Sequence, residues 1–208
     1  MDDYESSFPP RSEKHRSNQQ NNNNNENEGS FLQEVFSTLK YILVLSVIFF
    51  VVHRFFFAPV MVDGDSMEPT LSDGDYLLLN KFSDIEHSDI VVFPPPDEED
   101  IQYIKRVIGM PGDTVEFRDD VLYLNGEAME QDFLDIEAAA KEDYFSTGDF
   151  SLLTLLGEEE VPEGQYFLLG DNRLNSRDSR SFGFVDEEAV LGKVSFRYWP
   201  FDDFGFIE

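Results

Sequence analysis

The sequence predicts a mostly β domain carried on a single N-terminal transmembrane helix. Three observations lead there: a polar, Asn-rich head, an apolar run beginning near residue 39, and a long acidic remainder. That remainder is broken into short β-branched or aromatic segments bounded by Gly, Asp and Pro. At 208 residues the chain fits one modest domain with an appendage.

Residues 1–38 open the chain with Asn/Gln/Glu repeats, including five consecutive asparagines at Asn21 to Asn25. Such a segment cannot bury enough apolar area to offset the entropy of ordering, so a disordered tail is expected. From Tyr41 to Val52 every residue but Ser46 is apolar or aromatic. These 12 residues would span only about 18 Å as a helix, but 39–58 is long enough to cross a bilayer if Lys40, His53 and Arg54 reach the headgroups. A cleaved signal peptide would end in small residues, whereas this run ends in Phe55-Phe56-Phe57, so an uncleaved signal anchor is expected. Arg11, Lys14, Arg16 and Lys40 precede it. By the positive-inside tendency the tail stays cytoplasmic and residues 59–208 are extracytoplasmic, in contact with membrane lipid through the anchor.

Within 59–208, strands are expected at Tyr76 to Phe82, Ile90 to Phe93, Ile101 to Ile108, Thr114 to Phe117, Val121 to Leu124, Tyr166 to Leu169 and Gly192 to Trp199. Asn125-Gly126 marks a hairpin turn, and a helix is expected only between Asp132 and Glu142.

Composition excludes several chemistries. Fifteen basic against 43 acidic residues give a net charge of −28, the wrong sign for gripping nucleic acid. The absence of cysteine removes disulfides, thiolate metal sites and cysteine nucleophiles. Three scattered histidines make a Ser-His-Asp triad a poor expectation. No metal and no cofactor are expected.

Three stretches carry the chemistry. In Gly64-Asp65-Ser66-Met67-Glu68-Pro69, Pro69 bars regular structure just after Ser66, which is expected in an exposed turn. In the strand around Lys105, residues Ile101, Tyr103, Lys105 and Val107 share one face. A lysine among apolar neighbours loses hydration, its pKa falls, and a neutral amine can act as a general base. The bland alternative is a stem lying on the core with its ammonium in water. The stretch from Gly170 to Val185 alternates acids, arginines and hydroxyls, as suits a hydrogen-bonded buttress or a solvated turn.

Together these stretches resemble the bacterial type I signal peptidases, membrane-bound Ser-Lys enzymes that remove signal peptides. Ser66 to Leu71 matches the family's Ser-Met-x-Pro-Thr-Leu box, Lys105 to Asp113 its lysine box, and Gly170 to Val185 its Gly-Asp-Asn-Arg box. Gly74 to Lys81 and Phe196 to Pro200 resemble its next and closing strands. The resemblance implies Ser66 as nucleophile, Lys105 as general base, and Ser176 as a hydroxyl hydrogen-bonded to that lysine. It implies Asp178 and Arg180, with Asp171, Arg173 and Arg106, as an ion-pair framework. It implies Val62, Met67, Leu71 and Ile104 as walls of the pockets for small side chains at −1 and −3 of preprotein signal peptides. Some members carry a serine two residues before the nucleophile as an oxyanion donor; here Gly64 stands there, as in the Gram-positive, single-anchor branch. Residues 127–163 match nothing in the family and are expected to form an insertion.

Two other readings compete. The same β fold and dyad resemble self-cleaving SOS-response proteins, which lack an anchor; a catalytically silent, membrane-tethered binding domain would not need both Ser66 and Lys105. Finally, 59–208 carries ten basic against 36 acidic side chains, more than catalysis requires. Because like charges repel less as salt rises, a salt-rich or alkaline habitat is expected.

Overall fold

The computed structural model describes residues 22–98, 100–131, 134 and 146–207. The chain divides into two compact units, 1–51 and 52–208.

Helix α1 runs from Asn22 to Phe56, 35 residues. Within it Gln33–Phe50 is an 18-residue window of mean hydropathy 1.5 with none of its residues buried. It is therefore long and apolar enough to cross a membrane. Both boundaries differ from those expected. Residues 22–38, expected in the tail, are helical, because propagation from a nucleated apolar segment adds one hydrogen bond per residue ordered. Residues 1–21 of the expected tail lie outside the described residues. At the other end Phe57 and Ala58 belong to a strand, β1 (Phe57–Met61), since Pro59 cannot continue a helix and disfavours helical geometry just before it.

Among the described residues of the second unit, twelve strands form two antiparallel sheets. After β1 come β2 (Tyr76–Asn80), β3 (Ile90–Phe93), β4 (Tyr103–Gly109), β5 (Val115–Arg118), β6 (Val121–Leu124), β7 (Glu127–Met129) and β8 (Phe150–Ser151). Then follow β9 (Gln165–Leu169), β10 (Val185–Asp186), β11 (Gly192–Trp199) and β12 (Gly205–Phe206). The large sheet has the order β1-β2-β11-β3-β4-β9-β10, with β12 also on β11; the small one is β7-β6-β5-β8. Pro59 is accommodated because β1 is an edge strand.

Alternation along the strands splits the core across the large sheet. Leu77, Leu79, Ile90, Val92 and Val194 pack with Val62, Met67 and Leu71. On β9, Phe167 and Leu169 join Ile108, Val115 and Phe117, which connects the small sheet. Their neighbours Tyr166 and Leu168 join Val91, Phe93 and Val107 instead.

All seven expected strands are present within a few residues of their ends, and Asn125-Gly126 forms the β6–β7 turn with φ of 54° and 83°. Five short strands were not expected, and two short helices appear where none was: α2 (Leu152–Leu156) and α3 (Ser179–Phe182). Helix α2 owes its existence to local caps. Ser151 Oγ accepts from Thr154 N–H at 3.2 Å, Ser151 N–H donates to Thr154 Oγ1 at 2.9 Å, and Gly157 closes the end at φ 84°. The helix expected between Asp132 and Glu142 lies outside the described residues but for Leu134.

Candidate active site

Ser66 is half-buried in the turn between β1 and β2. The turn is pinned at its base, where Val62 N–H donates to the Asp75 carbonyl at 2.8 Å and Gly74 N–H to the Val62 carbonyl at 3.0 Å. Gly64, at φ 90°, donates its N–H to Asp73 Oδ1 at 2.8 Å. The Gly170 loop docks on the other side. Asn172 N–H donates to the Ser66 carbonyl at 3.1 Å, Asn172 Nδ2 to the Asp65 carbonyl at 3.1 Å, and Asn175 Nδ2 to the Asp65 carboxylate. Among the described residues no hydrogen bond engages the Ser66 N–H.

Lys105 projects from β4 and is only 3% exposed. Its Nζ lies 2.7 Å from Ser66 Oγ and donates to the Ile104 carbonyl at 2.9 Å. The sheet thus brings together two side chains far apart in sequence. Burial pulls the Lys105 pKa from its ordinary 10.5 to about 8, although the charges of Asp178 and Asp171 oppose the fall. The lysine is not a snorkelling one.

The framework stands beside this pair. Arg106 Nε and Nη2 donate to the two oxygens of Asp171 at 2.9 and 2.7 Å, and Thr70 Oγ1 donates to Asp171 Oδ2 at 2.6 Å. Thr70 belongs to the same turn as Ser66, so this ion pair is tied to the turn of Ser66. Asp178 takes Arg180 Nε and Nη2, each at 2.8 Å, and the Gly170 N–H at 3.1 Å. Arg180 also donates to the Arg173 carbonyl at 2.8 Å.

Two expected contacts differ. Ser176 Oγ is buried without a hydrogen-bond partner among the described residues, and so does not hold Lys105. The amine is instead engaged by Ser66 and by its own strand's Ile104 carbonyl. Ser176 packs against Gly170, where an added Cβ would stand 2.6 Å from both Ser176 Cβ and the Ser66 carbonyl oxygen. Arg173, expected in the ion-pair framework, makes no ion pair within 4.0 Å among the described residues. Its guanidinium donates to the Gly170 carbonyl, Thr147 Oγ1 and Gln131 Oε1 at 2.9, 3.1 and 2.7 Å, and stacks on Phe117. Desolvation draws its pKa down to about 10. Thr147 and Gln131 lie in the expected insertion, and nothing in the sequence signalled that link.

A cleft of about 280 Å³ opens at Ser66 and Lys105. Val62, Met67 and Ile104 line it together with Tyr103 and Arg177; Leu71 is instead fully buried in the core beside Met67. Thr70, Asn172 and Asn175 were missed as site residues although each lies within a quoted motif, because only their partners across the fold give them a role.

The family described as "Signal peptidase, peptidase S26" matches residues 35–199. The chain is 40% identical over 180 residues to "Signal peptidase IB" of Staphylococcus aureus (strain COL), covering 83% of this chain and 93% of that protein. It is 46% identical over 156 residues to "Signal peptidase I" of Bacillus caldolyticus, covering 73% and 85%. A crystal structure of a signal peptidase I from Enterococcus faecalis V583 is 44% identical, covers 53% of this chain and 97% of its own, and has a TM-score of 0.48. A match over most of the second unit and part of α1, together with relatives at this identity, establishes that the chain belongs to the signal peptidase family, peptidase S26, of serine endopeptidases.

Proposed function

We propose that this protein is a membrane-anchored type I signal peptidase that cleaves preproteins after small residues at −1 and −3, using Ser66 as nucleophile and Lys105 as general base. One observation carries the assignment of roles: a buried lysine, its pKa lowered to about 8, with Nζ 2.7 Å from Ser66 Oγ. When the amine is neutral the Ser66 hydroxyl donates to it, and that separation is within reach for proton transfer. Ser66 Oγ attacks the carbonyl carbon of the −1 residue as its proton passes to Lys105. The Ser66 N–H, without a hydrogen-bond partner among the described residues, is available to the oxyanion. Collapse of the tetrahedral intermediate breaks the C–N bond, and the Lys105 proton leaves with the amine of the mature chain. A water deprotonated by Lys105 then hydrolyses the acyl-enzyme.

The small cleft walled by Val62, Met67 and Ile104 suits short side chains. Helix α1 serves as the anchor, with the head cytoplasmic and the catalytic unit outside. Detergent-solubilised full-length protein is incubated with a preprotein beside its Ser66→Ala and Lys105→Ala variants. Cleavage by the parent alone, at one site after a small residue, is the expected result. Substantial turnover by folded Lys105→Ala protein would remove the Ser-Lys assignment. Protease added outside intact cells should digest 59–208 and spare the head; the reverse pattern would invert the topology.

A further inference from the structure

Arg106 holds more than Asp171. Its Nη1 donates to the Ser88 carbonyl at 2.6 Å. Ser88 stands at φ 70°, a left-handed conformation in which a residue with a Cβ is strained, so its neighbours must keep it there. On the C-terminal side the turn is fastened to the sheet: Val107 N–H donates to the Asp89 carbonyl at 2.8 Å, and Lys193 pairs with Asp89 at 2.6 Å. On the N-terminal side Ser88 N–H donates to the Val107 carbonyl at 2.9 Å and Glu86 N–H to Asp89 Oδ2 at 2.8 Å, and His87 adds a side-chain tether, its Nε2 lying 2.6 Å from Asp113 Oδ2. Asp113 is a firm anchor, since Met110 N–H and Asn125 Nδ2 donate to it at 2.8 and 2.7 Å.

We propose that His87 is a positioning residue for the reaction: by tying the turn to Asp113 it keeps the Ser88 carbonyl on Arg106, and so keeps Arg106 clamped on Asp171. The consequence reaches Lys105 through charge. Asp171 and Asp178 both raise the Lys105 pKa. Asp178 is compensated by Arg180, and Asp171 by Arg106 and the Thr70 hydroxyl. If Ser88 relaxes out of its left-handed state, a buried guanidinium N–H loses its acceptor. The Arg106 fork then loosens, and Lys105 feels more of the Asp171 charge. His87 itself pairs with Asp113; on its own turn Glu86 N–H donates to the Asp89 carboxylate, which in turn pairs with Lys193 from β11.

The inference rests on Lys105 being the general base, and the test separates the two. The pH dependence of kcat/KM is measured for full-length protein with a preprotein, for the parent, His87→Ala, His87→Gln, and His87→Ala combined with Ser88→Gly. A parent with no acid limb would sink the base assignment itself. With a parent limb present, His87→Ala is expected to move it up by about 0.5 unit, a loss of about threefold at pH 6.5. His87→Gln, which keeps a neutral donor toward Asp113, should hold the limb near the parent's. Ser88→Gly, which removes the left-handed strain, should bring the double variant back. A His87→Ala limb that stays in place, even with lower stability, would make His87 merely structural and overturn the proposal. Failure of Ser88→Gly to restore a shifted limb would overturn the route through Ser88. If His87→Ala does not fold, the double variant decides: folded with the parent's limb supports the proposal, while a displaced limb or a second failure to fold overturns it.

Discussion

Arg106 and Asp171 form a two-point ion pair in which neither side chain is exposed at all, joining β4 to the loop that follows β9. An ion pair in that position does not by itself favour folding, because removing two charges from water costs as much as their attraction returns. Its role is geometric: one end is the neighbour of Lys105 in β4, and the other accepts from Thr70 in the turn of Ser66.

Breaking that pair one-sidedly should therefore be severe. Arg106→Met leaves the Asp171 carboxylate buried without its partner and is expected to lower stability by about 3–5 kcal/mol. The double variant Arg106→Met with Asp171→Leu should recover much of that loss without recovering activity. Urea melts of all three proteins measure it; a single variant within about 1 kcal/mol of the parent would contradict the pairing.

Activity should follow the ionisation of Lys105. With a pKa of about 8, the amine is mostly protonated at pH 6.5 and cannot accept the Ser66 proton. The rate should climb through pH 8 and then level off, well before ordinary lysine titration. A rate constant that is flat from pH 6 to 10 would show that no lysine controls the chemistry.

The same burial makes Lys105 a stability liability. Its folded value near 8 lies below its ordinary 10.5, so between those limits the unfolded chain binds more protons. Stability from this group is lowest below pH 8 and rises as pH climbs toward 10.5. Lys105→Met, inactive, should be more stable than the parent at pH 7 by about 1–3 kcal/mol, the difference shrinking as pH rises to 10.5. A Met variant less stable than the parent at neutral pH would refute this.

Gly170 leaves no room for a methyl group. An added Cβ would meet the Ser66 carbonyl oxygen and Ser176 Cβ, each at 2.6 Å, and backbone cannot yield as a flexible side chain does. Gly170→Ala should displace the nucleophile's turn and cut kcat by about 100-fold, the scale of an ångström's misplacement at a reacting group. Single-turnover cleavage tests it, and a parent-like rate would mean the turn is free to shift.

The acidic surface should respond to salt. Asp97, Glu98, Asp100 and Glu158 to Glu160 are all exposed. Their repulsion weakens as the screening length falls from about 10 Å at 0.1 M to about 3 Å at 1 M. The melting temperature of the detergent-solubilised protein should rise between those concentrations in sodium and potassium chloride alike. A constant or falling value would leave the acidic excess without this explanation, and with it the salt-rich or alkaline habitat.

How much was legible in the sequence depended on whether a feature is local. Val91 and Val92, or Phe167 and Leu168, announce buried strands because each residue's own chemistry and spacing suffice. Ser66, Lys105 and the Gly170 loop were legible as motifs. Even the capping pair Ser151 and Thr154 was local and went unread. Helix α1 began 17 residues before the expected Leu39, because propagation into a polar segment depends on cooperativity and not on composition.

Contacts between distant segments were decided only by the tertiary structure. The sequence alone determined a buried-looking lysine on a strand, a serine in a Pro-stopped turn, and an apolar helix ahead of an acidic β unit. It did not determine that Ser176 Oγ would find no hydrogen-bond partner among the described residues, that Leu71 would enter the core instead of the cleft, or that Arg173 would bind Gln131 and Thr147 in place of an acid. Each of those outcomes turns on which oxygen or cavity a folded sheet happens to bring within about 3 Å, and hydrogen bonds fall away steeply beyond that distance. Spacing along a chain carries no such information, because strands adjacent in space, such as β2 and β11, are far apart in sequence.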